Sequence, residues 1–291
     1  MPVSSHQLPV AEERLSGQRW AVRGRREPTG GPLRTGNRES ATWIDTHCHL
    51  QLAAEAPGLL LERAAVAGVA WVVAPGTDLA TSEASQRLAA DHPGIVLATA
   101  GLHPHQAESW PAERDALESL AAASVAVGEC GLDFYRNLAP REAQVVAFAD
   151  QVRLAASLGL PVIVHCRDAF EDVHAILGAS GWGHRAVLHC WTGGPRWTKR
   201  FLELGVTFSF AGPVTFTTGD TVRRGAAVVP MDRVMVETDT PYLTPPPDRH
   251  LPNEPANVVS VGRALATVWG VDETVVAAAT SVTAARVFQH V

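Results

Sequence analysis

The sequence predicts an α/β protein folded as a single (β/α)8 barrel of TIM type, and three observations predict it. Short runs rich in Val, Ile and Ala alternate with stretches of helical pattern from residue 42 onward, the mark of βαβ units on a parallel sheet. Eight such runs fall within roughly 250 residues, the dimension of a barrel domain. Polar residues gather at the ends of these runs, where α/β barrels keep their working groups.

The expected strands are residues 42–48, 69–74, 95–100, 125–129, 162–166, 186–190, 206–210 and 233–237. Gly, Pro or Asp punctuates several of them, as in Leu158-Gly-Leu-Pro161 before the fifth. Helical segments fill the gaps; those at 57–67, 140–158 and 195–204 each open on Pro, whose fixed φ suits a first turn. Two more helices, 255–269 and 272–290, close the chain. Periodicity does not show closure of the sheet, so a doubly wound open sheet is the alternative architecture. The sequence divides into an extension over residues 1–40 and the barrel domain over 41–291. The extension is rich in Gly, Pro, Arg and Ser without a sustained period, and is expected to be disordered. A basic nucleic-acid-binding arm is its sharper reading.

Composition narrows the class. The chain has 291 residues, 46% of them hydrophobic, and a mean hydropathy of +0.03, which suits a soluble protein with a large core. No uninterrupted apolar run approaches the roughly 18–20 residues of a membrane span, and the amino terminus lacks the apolar core of a signal peptide. A cytoplasmic protein is expected. Residues 1–40 hold seven Arg and four Glu, a balance of +3 against −6 for the whole chain, so residues 41–291 carry −9. The domain is therefore no generally basic nucleic-acid binder; an anionic partner would need a local cationic groove.

The strand ends carry His47 and His49, His103 and His105, Glu129, His165, His189 and Asp239. A lone His at a strand end is an ordinary satisfied polar residue, but this series is not. His47 and His49 lie two apart on one strand, so both imidazoles project to one side and can share a metal ion. Imidazoles and carboxylates without thiolates suit Zn, Mn, Ni or Fe, with Mg less favoured. A pair of metals needs a bridging ligand, which a carboxylate supplies. Glu129 is the natural bridge: the sole lysine, Lys199, falls on a helix and cannot serve as a carboxylated bridge. His165 and His189 would then hold the second ion, and Asp239 would complete the first and accept a proton from the attacking water. The four cysteines, Cys48, Cys130, Cys166 and Cys190, each follow His or Glu and are expected to face the helices as small apolar groups.

The motifs Ile44-Asp-Thr-His-Cys-His49, Gly101-Leu-His-Pro-His105, Gly128-Glu-Cys-Gly-Leu-Asp-Phe-Tyr135, Pro161-Val-Ile-Val-His-Cys-Arg167, His189-Cys-Trp-Thr-Gly193 and Glu237-Thr-Asp-Thr-Pro-Tyr-Leu243 resemble those of the TatD family of metal-dependent deoxyribonucleases, within the amidohydrolase-type barrel superfamily. The resemblance runs through nearly the whole chain after residue 41. It implies two divalent metal ions held by His47, His49, Glu129, His165, His189 and Asp239, with Glu129 and Asp239 catalytic. It also places His103, Tyr135 and Arg167 near the substrate, DNA as single strands or ends. Arg167 suits a phosphate oxygen, with an ion pair to Asp168 or Glu171 as its structural alternative. His105 and Arg136 would support the rim, Asp45 would orient an imidazole, and Asp133 would brace its loop. Trp191-Thr192 replaces the usual Phe-Ser, and the loop 245–255 keeps Asn253-Glu-Pro255 but lacks the basic run that commonly leads into it. Related barrels cleave other bonds, so a small-molecule amide, ester or lactone hydrolase is the alternative activity.

Overall fold

The computed structural model describes residues 42–290. The disordered extension expected over residues 1–40 lies outside them. The described strands, in chain order, are β1 (Trp43–Asp45), β2 (Val69–Ala74), β3 (Val96–Ala98), β4 (Val127–Asp133), β5 (Val162–Arg167), β6 (Ala186–Leu188), β7 (Thr207–Phe210) and β8 (Val234–Val236). Between them run α1 (Pro57–Val66), α2 (Leu79–Asp91), α3 (Trp110–Ala121), α4 (Arg141–Leu158), α5 (Phe170–Ser180), α6 (Pro195–Glu203) and α7 (Asp220–Ala226); α8 (Val258–Trp269) and α9 (Glu273–Phe288) follow β8. None of these helices is long and apolar enough to cross a membrane.

Local chemistry sets the helix bounds. Pro57 and Pro195 occupy first-turn positions of α1 and α6, where a missing N–H costs nothing. Asp78 and Thr81 close a capping box on α2. α4, α5 and α8 end on Gly159, Gly181 and Gly270 in the left-handed conformation that relieves the last carbonyls.

All paired neighbours are parallel, in a three-stranded sheet β1-β2-β3 and a five-stranded sheet β4-β5-β6-β7-β8. The fold is thus α/β of the TIM-barrel type. Each expected strand is present, but at the two seams the pairing contracts to isolated bridges, Ala100 with Val127 and Cys48 with Thr240. The backbone bends there. At one seam Gly101 and Gly128 approach so closely that a Cβ on Gly101 would stand 2.5 Å from Gly128 Cα.

Period-2 alternation divides the strand residues between two buried layers. Val72, Val96, Val127, Val164, Leu188, Phe208 and Val236 join the layer that meets Leu60, Phe148, Val152, Leu177 and Phe201 of the helices. Ile44, Val73, Leu97, Ile163, Val187 and Met235 form a second cluster with Phe288 of α9, drawn from both sheets. Two residues after Ile163, Val187 and Met235 of this inner layer come His165 within β5, His189 just past β6 and Glu237 just past β8. The apolar inner layer thus floors a polar site.

Candidate metal centre

Glu129 lies at the middle of the site, only 3% exposed. Its Oε2 is 3.3 Å from His47 Nε2 and 3.5 Å from His49 Nε2. Its Oε1 is 3.1 Å from His165 Nδ1, 2.8 Å from His189 Nε2 and 3.4 Å from His103 Nε2. One carboxylate therefore presents a separate oxygen to each of two imidazole groups. Asp239 Oδ1 completes the first group, 3.8 Å from His47 Nε2 and 3.5 Å from His49 Nε2.

The donor set fits divalent metal ions. His47 Nε2 and His49 Nε2 lie 3.2 Å apart, as do His165 Nδ1 and His189 Nε2 at 3.3 Å. Such a pair of nitrogens shares at most one proton, so hydrogen bonding does not account for the two close pairs, whereas bound cations do. Buried polar atoms are ordinarily paired, yet His47 Nδ1 and His49 Nδ1 have no partner. The rings are thus organised from their Nε2 side. His47, His49 and Glu129 form one group able to hold an ion, and His103, Glu129 and His165 another.

The electrostatics agree. Burial alone would raise the Glu129 carboxyl, but the positive charge of His189, with hydrogen bonds from His165 and His189, holds it well below the carboxylate range. Burial pushes His47 and His103 down, toward the neutral imidazole a metal requires. His49, His165 and His189 are pushed up despite burial, His49 by Asp239, His165 by Asp133 and Glu129, and His189 by Glu129 and Glu237. A bound cation would take the place of those protons.

Further carboxylates orient the imidazoles. Asp133 Oδ2 is 3.3 Å from His165 Nε2 and 2.9 Å from His105 Nε2, while Oδ1 accepts from the Tyr135 and Arg136 amides. Asp133 thus braces its loop as expected and also fixes the His165 ring. Glu237 Oε1 accepts from the Cys190 amide at 2.6 Å and lies 3.3 Å from His189 Nδ1. Glu237 was passed over in the sequence in favour of Asp239; the available signal was its position two residues after the inner-layer Met235. Asp45 does not orient an imidazole. It accepts from the Thr238 amide and hydroxyl at 2.9 and 2.6 Å and from the His47 amide at 3.3 Å, tying β1 to the segment after β8. Burial outweighs those bonds and pushes its carboxyl up to about 8.

The cysteines divide. Cys48 and Cys130 are fully buried toward the helices as expected. Cys166 is half-buried and packs against the same helix-facing layer while also bordering the cavity; Cys190 departs from the expectation and lines the cavity, because alternation ends with β6 and Cys190 takes a positive φ of 44°.

Above the centre opens a cavity of about 930 Å³. His49, His103, Glu129, His165, His189 and Asp239 lie in its wall, while Tyr135, Arg136, Leu138, Arg167 and Tyr242 stand at its mouth. Tyr135 and Arg167 are together: the guanidinium sits 4.0 Å over the ring. Arg167 makes no ion pair with Asp168 or Glu171 among the described residues. The structure thus brings His47, His49, Glu129, His165, His189, Asp239 and His103 into one cluster and sets Tyr135 and Arg167 on its rim.

A parallel α/β scaffold that converges imidazoles and carboxylates beneath one cavity defines the class of metal-dependent hydrolases. Residues 44–289 match the family described as TatD related DNase, and the chain belongs to that family. A relative called 3'-5' ssDNA/RNA exonuclease TatD, from Rahnella sp. (strain Y9602), is 40% identical over 205 residues, covering 68% of this chain and 76% of that one. Its namesake from Erwinia tasmaniensis is 38% identical over 242 residues, covering 79% and 92%. A TatD homologue from Escherichia coli K12 superposes with a TM-score of 0.77 at 28% identity, covering 86% of this chain and 98% of that one. A TatD-family hydrolase from Entamoeba histolytica shares the fold, with a TM-score of 0.75 at 18% identity over 85% and 98% of the two chains.

Proposed function

We propose that this chain is a divalent-metal-dependent exonuclease that releases nucleotides from the 3' ends of single-stranded DNA. The observation that carries the reading is the split of Glu129, one oxygen to His47 and His49, the other to His165 and His189. A carboxylate so placed suits two ions side by side. His47, His49 and Asp239 would hold one, His165 and His189 the other, with Glu129 shared; Zn, Mn, Ni, Fe or Mg are the candidates. When bound, such a pair supplies Lewis-acid stabilisation of charge developing on a phosphoryl oxygen and acidifies the attacking water.

The protein's own groups do the rest. Asp239, 15% exposed on its side chain, reaches the cavity side of the cluster and is positioned to accept the proton of the water. Arg167 offers a planar fork to a phosphate oxygen at the mouth, and Asp133 and Glu237 hold His165 and His189 in register. We read the two sheets as one closed (β/α)8 barrel, a reading supported by the bridges at both seams and the inner cluster they share.

The test sets metal-loaded protein against 5'-labelled single-stranded oligonucleotides and a panel of amides and lactones. Stepwise shortening from the 3' end is expected. Turnover of the panel without nucleotide release would overturn the assignment.

A further inference from the structure

Any single strand reaching the centre must pass the mouth of the cavity, and the aromatic side chains are unevenly placed there. The described tryptophans are buried or half-buried; Trp191, for example, is fully buried and bonded to Thr198. Tyr135 and Tyr242 are the exposed aromatics among the described residues, at 62% and 53%, and both line this cavity. Exposed aromatic surface costs solvation, so its confinement to one mouth points to a flat apolar ligand.

The two rings are not equivalent. Tyr135 carries the Arg167 guanidinium on a face at 4.0 Å, and Arg136 stands beside it in the cavity wall. That lip is cationic and matches a phosphodiester backbone. Tyr242 meets the edge of His49 with ring centroids 6.3 Å apart and an interplanar angle of 68°, and bears no cation among the described residues. Leu243, which follows it in the chain, and Leu52 and Pro213, which line the same cavity, are apolar. Tyr242 is also held firmly. Its amide donates to the Asp239 carbonyl at 2.8 Å and its carbonyl accepts from Asn253 Nδ2 at 2.7 Å. The backbone that carries the ring is thus fixed three residues after Asp239.

We infer that Tyr242 is a substrate-binding residue: its ring stacks on the base of the nucleotide whose phosphate lies at the metal centre, while the Tyr135–Arg167 lip carries the backbone. The inference rests on the nuclease reading and deepens it. The Tyr242 lip offers aliphatic and ring surface rather than a polar group aimed at a base edge, and every base has a π-face. The site therefore takes any base and loses affinity when the base is absent.

The experiment compares two single strands, alike except that the 3'-terminal nucleotide of one is abasic, with wild type, Tyr242→Ala and Tyr242→Phe, each metal-loaded. Wild type is expected to show a KM roughly five- to a hundredfold lower for the strand with the terminal base. Tyr242→Ala erases that difference and Tyr242→Phe restores it. The exposure of Tyr242 makes folding of the Ala variant the expected outcome; Tyr242→Leu, bulky but without a π-face, stands in if it does not fold. Equal discrimination by wild type and the Ala or Leu variant overturns the stacking role while leaving the nuclease reading intact. Failure of wild type to release nucleotides from either strand overturns the nuclease reading, and the stacking role with it.

Discussion

Replacing Glu129 by Ala removes the carboxylate toward which His47, His49, His103, His165 and His189 all turn, at 2.8 to 3.5 Å. Loss of a partner that merely orients a ligand costs about 10–100-fold in metal affinity or activity. Glu129 is a ligand candidate to both groups at once, so the loss should exceed about 100-fold, or ~2.7 kcal/mol in the activation barrier. The fold should survive, since the side chain belongs to the polar site above the apolar inner layer. Its removal leaves buried imidazoles short of a partner, at a cost of about 1–3 kcal/mol to the metal-free protein. At about 2–4 °C per kcal/mol for a chain of this size, the melting temperature falls by several degrees. The assay measures metal content, melting temperature and release of nucleotides from a labelled strand on one preparation. Activity within tenfold of wild type, with metal supplied, would refute the bridging role.

Glu237→Gln should lower turnover by about 10–100-fold through His189, with little change in KM, because Glu237 lies against the proposed ligand His189 and is not among the residues lining the cavity; steady-state kinetics check the split. Arg167→Ala removes a charge-assisted contact worth about 1.5–3 kcal/mol and should raise KM for oligonucleotides by roughly 10–100-fold; an unchanged KM would contradict phosphate binding there. Cys130→Ser should leave metal content as it is, since the thiol points to the Ile163 carbonyl at 3.6 Å, away from the cluster; elemental analysis decides it. Gly262→Ala should destabilise by about 1–3 kcal/mol, because a Cβ there falls on the buried Trp43 ring; urea denaturation measures it.

Much of this was legible in the sequence because the period-2 alternation of strands carries it. Alternation along β5 sets Ile163 and His165 on one face and Val164 on the other, so the His after an apolar run could be read as facing the site. Spacing likewise paired His47 with His49, which do meet at 3.2 Å, although β1 ends at Asp45 and both lie beyond the strand expected to carry them. What alternation could not reach were positions where the chain leaves the strand. Cys190 turns into the cavity wall at a positive φ, and Asp45 bonds across to Thr238, a pairing separated by 193 residues. Glu237 was hidden by its neighbour: two carboxylates two residues apart look alike in sequence, and only the turn at Asp239, with φ of 60°, separates the residue that faces the cluster from the one that orients His189. The partnership of Arg167 with Tyr135 rather than Asp168 or Glu171 is likewise a product of three-dimensional placement.

The central claim is a shared carboxylate between two metal positions that together cleave nucleic acid. Elemental analysis and a 3'-exonuclease assay on one purified sample test it most directly. The account predicts about two equivalents of divalent metal per chain, with nucleotide release abolished by chelation and restored by metal. A sample that takes up no divalent metal, or that holds it and releases no nucleotides, would contradict it.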